Sequence, residues 1–260
     1  METPQDAFLE SMAEADEAVI SHMHGKMMYH MLADDVVGDV AVLGHRDLDF
    51  AAHVHDLDWR KIGVSVLFER GKAFFGGFTI AVVCGRASYD IVGKHIDDYD
   101  SIFVLSHFKG HPMGGFGGAL KNVSIGIASS NGKRWIHSAG VATDHWVETD
   151  QDDFLESMAE ADEAVISHMH GNMMYLNVMN RLSVDCDCLP IPSEPDMHDI
   201  GVLSSLDPVA LDQACVDLIH TAPDGASVTE RIASLHGEHI LEYAEELGIG
   251  SRAYCLTVLD

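Results

Sequence analysis

The sequence predicts an α/β fold, a mostly parallel sheet covered by helices, and two observations carry that expectation. Short β-branched or apolar runs at 39–43, 62–68, 80–84, 101–106, 173–179 and 200–204 have the length of strands. Helical patterns alternate with them, the order that lays helices over the faces of a parallel sheet. Composition agrees, because 260 residues at 47% hydrophobic content can bury one substantial core.

The clearest helix is 207–220. Asp207 is a good N-cap, Pro208 suits the first helical position, and Val209, Leu211, Cys215, Leu218 and Ile219 supply a buried side. A second helix over 239–247 ends at Gly248, a residue type that accepts the left-handed conformation after a helix. The Pro-rich stretch 189–195 reads as a loop, and the poorly patterned, histidine-bearing stretch 30–58 as a loosely packed lobe.

The segment 2–29 recurs as 148–175 with 25 of 28 positions identical, only Pro4/Asp150, Ala7/Asp153 and Lys26/Asn172 differing. Two copies fall short of the three or more units a solenoid needs. The repeat reads as the duplication of one amphipathic helix and the turn after it, with Phe154, Leu155, Met158, Ala161, Val165 and Ile166 as the apolar stripe. The expected organisation is a duplicated helix over 1–30 followed by a single α/β domain over 31–260. Two near-identical helices competing for one groove make a homo-oligomer by swapping an expectation. The His-x-His pairs, His22/His24 and His168/His170, fall where the helix should end, a place that favours a histidine without any metal.

Forty-two acidic against fifteen basic residues give a net charge of −27. Such a surface repels phosphate backbones and anionic lipids, so neither nucleic acid nor membrane is an expected partner. The N-terminus carries acids where a signal peptide needs a basic flank, and no segment reaches the roughly 20 apolar residues of a membrane span, which reads as a cytoplasmic protein. Five scattered cysteines do not form the framework of a small secreted domain.

Chemistry concentrates at 107–122, HFKGHPMGGFGGALKN, directly after the apolar strand SIFVLS. A strand leading through a glycine-rich loop into a short helix can bind a small anion on backbone N–H groups. Gly114, Gly115, Gly117 and Gly118 lack the Cβ that would block such approach. Neither dinucleotide nor P-loop spacing is met. The signal lies in the cations: Lys109 and Lys121 stand here with His107 and His111 in a very acidic chain. The same residues can also be read as a tight turn with solvated lysines beside it. A second constellation is Asp185-Cys186-Asp187-Cys188. In an extended segment Cys186 and Cys188 share a face, and two thiolates can hold a soft metal or half of a cluster, or the cysteines can be buried structure. His198, with Asp196 and Asp199, could complete such a site in space. Asp207 and Asp212 read as a cap and a solvated helix face.

From about residue 93 onward, the blocks GFGGALKN, VDCDC and LDPVALDQA resemble the family named domain of unknown function 362. Its members are often described as iron–sulfur proteins because many carry a ferredoxin-like insert. This chain has no C-x-x-C-x-x-C-x-x-x-C-P run, so those cluster ligands are missing. More remotely, the stretch is similar to the nickel-pincer lactate racemase family, whose pattern sets a histidine ten residues before a lysine and another sixteen beyond it. Those spacings fall on His111, Lys121 and His137, with one residue more between the Gly117-Gly118 pair and Lys121 than the family has. The resemblance implies Lys121 as the cofactor attachment, with Gly114, Gly115, Gly117, Gly118 and Asn122 around it. It implies His137 as a metal ligand and His111 as acid or base, with Lys109 and His107 nearby. Three functions remain open at this point. They are a redox or isomerase-type enzyme using a metal or cofactor on a small anionic molecule, an iron–sulfur or metal-binding electron carrier using Cys186 and Cys188, and an inactive rearranged relative.

Overall fold

The structure, a computed structural model, describes residues 96–186 and 193–258 and, upstream of them, four strands: Gly25–Met31 (β1), Val64–Phe68 (β2), Gly77–Ala81 (β3) and Tyr89–Gly93 (β4). Strands Ser101–His107 (β5), Lys109–His111 (β6) and Gly115–Gly117 (β7) follow. A three-residue helix, Ala119–Lys121 (α1), runs into a π turn over Asn122–Gly126, and then come Ser130–His137 (α2) and Gln151–His168 (α3). The remainder is Met173–Met179 (β8), Gly201–Ser205 (β9), Pro208–Thr221 (α4), Ala226–Ser234 (α5) and His239–Glu246 (α6).

The fold is mixed α/β. Its central sheet has the order β2-β1-β5-β8-β9, with β2, β1, β5 and β8 mutually parallel and β9 antiparallel to β8. Two antiparallel ribbons, β3–β4 and β6–β7, stand apart from it. The expectation of a mostly parallel sheet is therefore met only in part. Parallel pairing needs a long crossover, usually a helix. Between Met179 and Gly201 the described residues contain no helix, and the chain carries Pro190, Pro192 and Pro195, so it turns back antiparallel.

Strand β5 is central, and Ser101 through Ser106 are all buried, which is why it reads as an unbroken apolar run. The predicted strand at 173–179 has those bounds, and the run at 200–204 forms β9 one residue later. The run at 80–84 lies mostly beyond β3, outside the described residues, as do 39–43 and most of 30–58. Helix α4 starts as predicted: Asp207 accepts from the N–H groups of Val209 and Ala210, with Pro208 in the first turn. Gly248, at φ +79°, follows α6 in the left-handed region. Helices α2 and α5, eight and nine residues long, are additional to the predicted ones. In α2, Gly132 sits where the backbone of Ile91 leaves no room for a Cβ.

Helix α3 is the second copy of the repeat, and Phe154, Leu155, Met158, Ala161 and Val165 enter the core. His168 lies in its last turn, bonded to Asp97 at 2.7 Å. Of the first copy, residues 1–24 lie outside the described residues, and the rest begins β1. The Met-Met-Tyr runs of the two copies pair with opposite edges of β5, Tyr29 beside Phe103 and Tyr175 beside Val104, one residue out of register. Among the described residues no helix is long and apolar enough to cross a membrane.

Candidate functional site

Strand β5 delivers the chain to Phe108, and the β6–β7 hairpin pairs Lys109 with Gly117 and His111 with Gly115. Phe108 and Phe116, both buried, stack with centroids 5.4 Å apart and anchor the hairpin in the core. Gly115 has φ +82° and lies against Gly237, so the turn demands glycine there. The cations are not solvated: Lys109, His111 and Lys121 are 4%, 6% and 7% exposed. Burial of charged groups requires local partners, and this excludes the tight turn with solvated lysines.

The short helix α1 answers differently from the sequence reading. Its first N–H groups do not wait for an external anion. Ala119 N donates to Asp212 Oδ1 at 2.8 Å and Leu120 N to Oδ2 at 2.9 Å, while Asn177 Nδ2 donates to Oδ1 at 2.7 Å. Asp212 is fully buried and not on a solvated helix face; burial pushes its pKa up to about 6 in spite of these three bonds. A Cβ at Gly118 would collide with this carboxylate, which accounts for that glycine. The Ala119 and Leu120 amides are therefore taken by Asp212 and are not open to an external anion. The missed signal for Asp212 was its position: it lies within the stripe of Val209, Val216 and Ile219 on α4.

The first turn of α3 brings His111 and His137 toward one place. Gln151 Nε2 donates to Met113 O at 2.8 Å, holding the turn after His111, and one helical turn on, Phe154 packs against the His137 ring at 4.9 Å. Trp146 meets the same ring edge-on at 5.0 Å. Burial is the main cause that lowers the His137 pKa to about 4; the bond to Lys133 O opposes it, and the nearby His111, Lys121 and Lys133 side chains act with it. The Lys121 stem passes Gly117, where a Cβ would sit 3.9 Å from Lys121 Cδ. His111 and Lys121 thus lie within electrostatic reach of His137, although 26 positions separate His111 from His137.

Tautomers follow from the bonds. His111 Nδ1 accepts from Met113 N at 3.2 Å and Gly114 N at 3.0 Å, so its proton sits on Nε2. His137 Nδ1 donates to Lys133 O at 2.6 Å, which leaves a lone pair on Nε2. His107 Nε2 donates to Asn180 O at 2.7 Å and is tied to the end of the sheet. Asn122, fully buried, donates to Leu105 O and Ser106 Oγ at 2.9 Å each, and its Oδ1 has no partner among the described residues. Cys186 is buried; Cys188 and Asp187 lie outside the described residues. His198 Nδ1 pairs with Asp224 Oδ1 at 2.7 Å, and Asp199 accepts from Arg181 N.

Among curated proteins nothing matches the chain. Solved structures that match are similar over part of their length, two of them as follows. The lactate racemase apoprotein from Thermoanaerobacterium thermosaccharolyticum has 11% identity and a TM-score of 0.35, over 70% of this chain and 46% of that one. A structural-genomics protein from Thermotoga maritima has 12% identity and a TM-score of 0.37, over 95% of this chain and 60% of that one. The chain spans about half the length of these proteins. The family model described as Domain of unknown function (DUF362) matches residues 61–217, starting upstream of the blocks legible from about residue 93 and taking in the hairpin, α1, α3 and most of α4. The chain belongs to that family.

Proposed function

We propose that the chain binds a small anionic molecule beside a metal-linked cofactor at the His111, Lys121 and His137 cluster, and acts on it as a redox or isomerase-type enzyme. What supports this reading is the gathering of buried lysine and imidazole side chains in a protein of net charge −27. Desolvated cations that converge in an acidic chain attract an anion far more strongly than surface lysines do.

The donor set suits such a group. His137 is a neutral imidazole whose Nδ1–H is held by a carbonyl, the arrangement that orients a metal-bound histidine. Lys121 would carry the cofactor and His137 would ligate its metal, which would supply the redox centre. The chain's own residues do the rest. Lys109 and Lys121 offer charge to the anion. His111, held by two backbone N–H groups on Nδ1, presents Nε2–H as a proton donor and, once deprotonated there, as a base. Phe108 and Phe116 close the core side of the hairpin against water.

The test is metal analysis and a visible spectrum of anaerobically purified protein, with mass spectrometry of the Lys121 peptide. The expected result is bound nickel and a mass increment on Lys121, both lost in Lys121→Ala while far-UV circular dichroism is unchanged. Iron with broad absorption at the blue end would favour an electron carrier instead. A colourless, metal-free protein with unmodified Lys121 would leave an inactive relative.

A further inference from the structure

Behind the His111 hairpin, α3 meets the turn between α5 and α6, and the meeting is lined by groups that the proposed reaction does not use. His236 occupies this turn with φ +49°, and His239 opens α6. Opposite them, α3 presents Asp152 and Glu156 one helical turn apart. His236 Nδ1 lies 2.7 Å from Asp152 Oδ1, and His239 Nε2 lies 3.1 Å from Glu156 Oε1. The two imidazoles stack with centroids 5.1 Å apart and planes 14° from parallel.

One ligand atom from each of Asp152, His236 and His239 lies within 4.8 Å of the others. A tetrahedral ion with bonds of about 2.0–2.1 Å holds its ligand atoms about 3.4 Å apart. Closing that difference takes at most about 1.4 Å, shared among side chains that are half-buried or exposed. His239 also stands between two carboxylates, Glu156 on Nε2 and Glu242 at 3.7 Å from Nδ1. With Nδ1 turned to a metal, Nε2 keeps Glu156 as its acceptor, which fixes the ring and raises its basicity. Two imidazoles and one carboxylate suit a borderline ion better than calcium or magnesium, which prefer all-oxygen sets.

The location gives the ion a purpose. Gly237, between the two histidines, packs on the hairpin turn so closely that a Cβ there would lie 3.0 Å from Gly114 O and 3.1 Å from Gly115 Cα. Gln151, beside Asp152, donates to Met113 O. Residues adjacent to the candidate ligands thus grip both sides of the 113–115 turn, and Gly114 N in that turn donates to His111 Nδ1. We infer that Asp152, His236 and His239 form a site for a divalent transition-metal ion such as Zn2+ or Co2+. The ion clamps the α5–α6 turn to α3 and so fixes the turn that orients His111.

The site is separate from the cofactor cluster, and the experiment keeps the two apart. Full-length protein stripped with chelator is titrated with Co2+ and followed by its visible d–d bands, with equilibrium dialysis against Zn2+ for stoichiometry. His137→Gln protein, which lacks the metal ligand of the cofactor reading, should still bind one equivalent with tetrahedral-type absorption and gain thermal stability. The His236→Asn/His239→Gln double variant in that background should lose both the bands and the stabilisation. Asp152→Asn, a change in the first turn of α3, should weaken binding by about tenfold or more, and it decides the matter if the double variant does not fold. Absence of Co2+ binding in the His137→Gln protein, or binding unchanged by the double variant or by Asp152→Asn, would overturn the inference.

Discussion

At the level of single residues, two buried groups titrate in opposite senses. His137, with its pKa lowered to about 4, stays neutral when folded, whereas the unfolded chain takes up a proton below pH 6.5. Its contribution to stability is therefore lost as pH falls from 6.5 toward 4. Asp212, raised to about 6, holds a proton in the folded state that the unfolded chain releases above 3.8. Its contribution is lost as pH rises from about 4 to 6. Each effect is on the order of 3 kcal/mol, so in the whole protein they largely offset one another. Single variants separate them. Relative to the parent, metal-free His137→Phe should gain stability at pH 4.5 compared with pH 7, and Asp212→Asn should show the reverse, by about 2 kcal/mol in urea unfolding. Parallel pH profiles for all three proteins would contradict the burial described for both groups. Histidine and lysine identities were legible at this scale, because cations stand out in an acidic chain. Asp212 was legible only as an acid within the apolar stripe of α4; its role was not, since its donors, Ala119, Leu120 and Asn177, come from distant segments.

Among the elements, the glycine-rich stretch divides into positions with different demands. A Cβ at Gly118 would strike the Asp212 carboxylate, which is itself held by the first N–H groups of α1 and cannot retreat. At Gly117 the nearest atom is the Lys121 stem at 3.9 Å, an ordinary contact. Gly118→Ala should cost about 1–3 kcal/mol and displace α1 with Lys121, whereas Gly117→Ala should stay within about 0.5 kcal/mol of the parent. Thermal melts with denaturant titration compare them, and equal losses would mean that Asp212 does not cap α1. Strong local signals survived into the structure: the cap at Asp207, the run at 101–106, the strand at 173–179 and the stop at Gly248. The β6–β7 hairpin did not announce itself, because the three-residue strands KGH and GFG carry no alternation to detect.

For the molecule as a whole, the duplicated segment is the feature that a single chain does not resolve. Helix α3, the second copy, buries Phe154, Leu155 and Met158 in the core, and the first copy carries the same apolar side chains as Phe8, Leu9 and Met12. Either can fill one groove, so exchange between chains is expected. Light scattering after size exclusion should show a dimer fraction that grows with concentration and disappears when residues 1–24 are deleted. Strictly monomeric elution at every concentration would count against exchange. Because of the −27 charge, association should also strengthen with salt as like-charge repulsion is screened.

The sequence by itself determined the α/β class, the family and the stretch where chemistry concentrates, because strand runs, capping residues and clustered cations are local features. Tertiary structure alone decided that His111 and Lys121 lie within electrostatic reach of His137, that β9 runs antiparallel to β8, and that Asp212 occupies amides which the glycine-rich loop was expected to offer an anion. It also brought Asp152 to His236 and His239, 84 and 87 positions away. Each of these depends on contacts between distant segments. The packing of α5 on the hairpin, of α4 on α1 and β8, and of α3 on α6 accompanies them, and no periodicity or spacing within one segment encodes such a meeting.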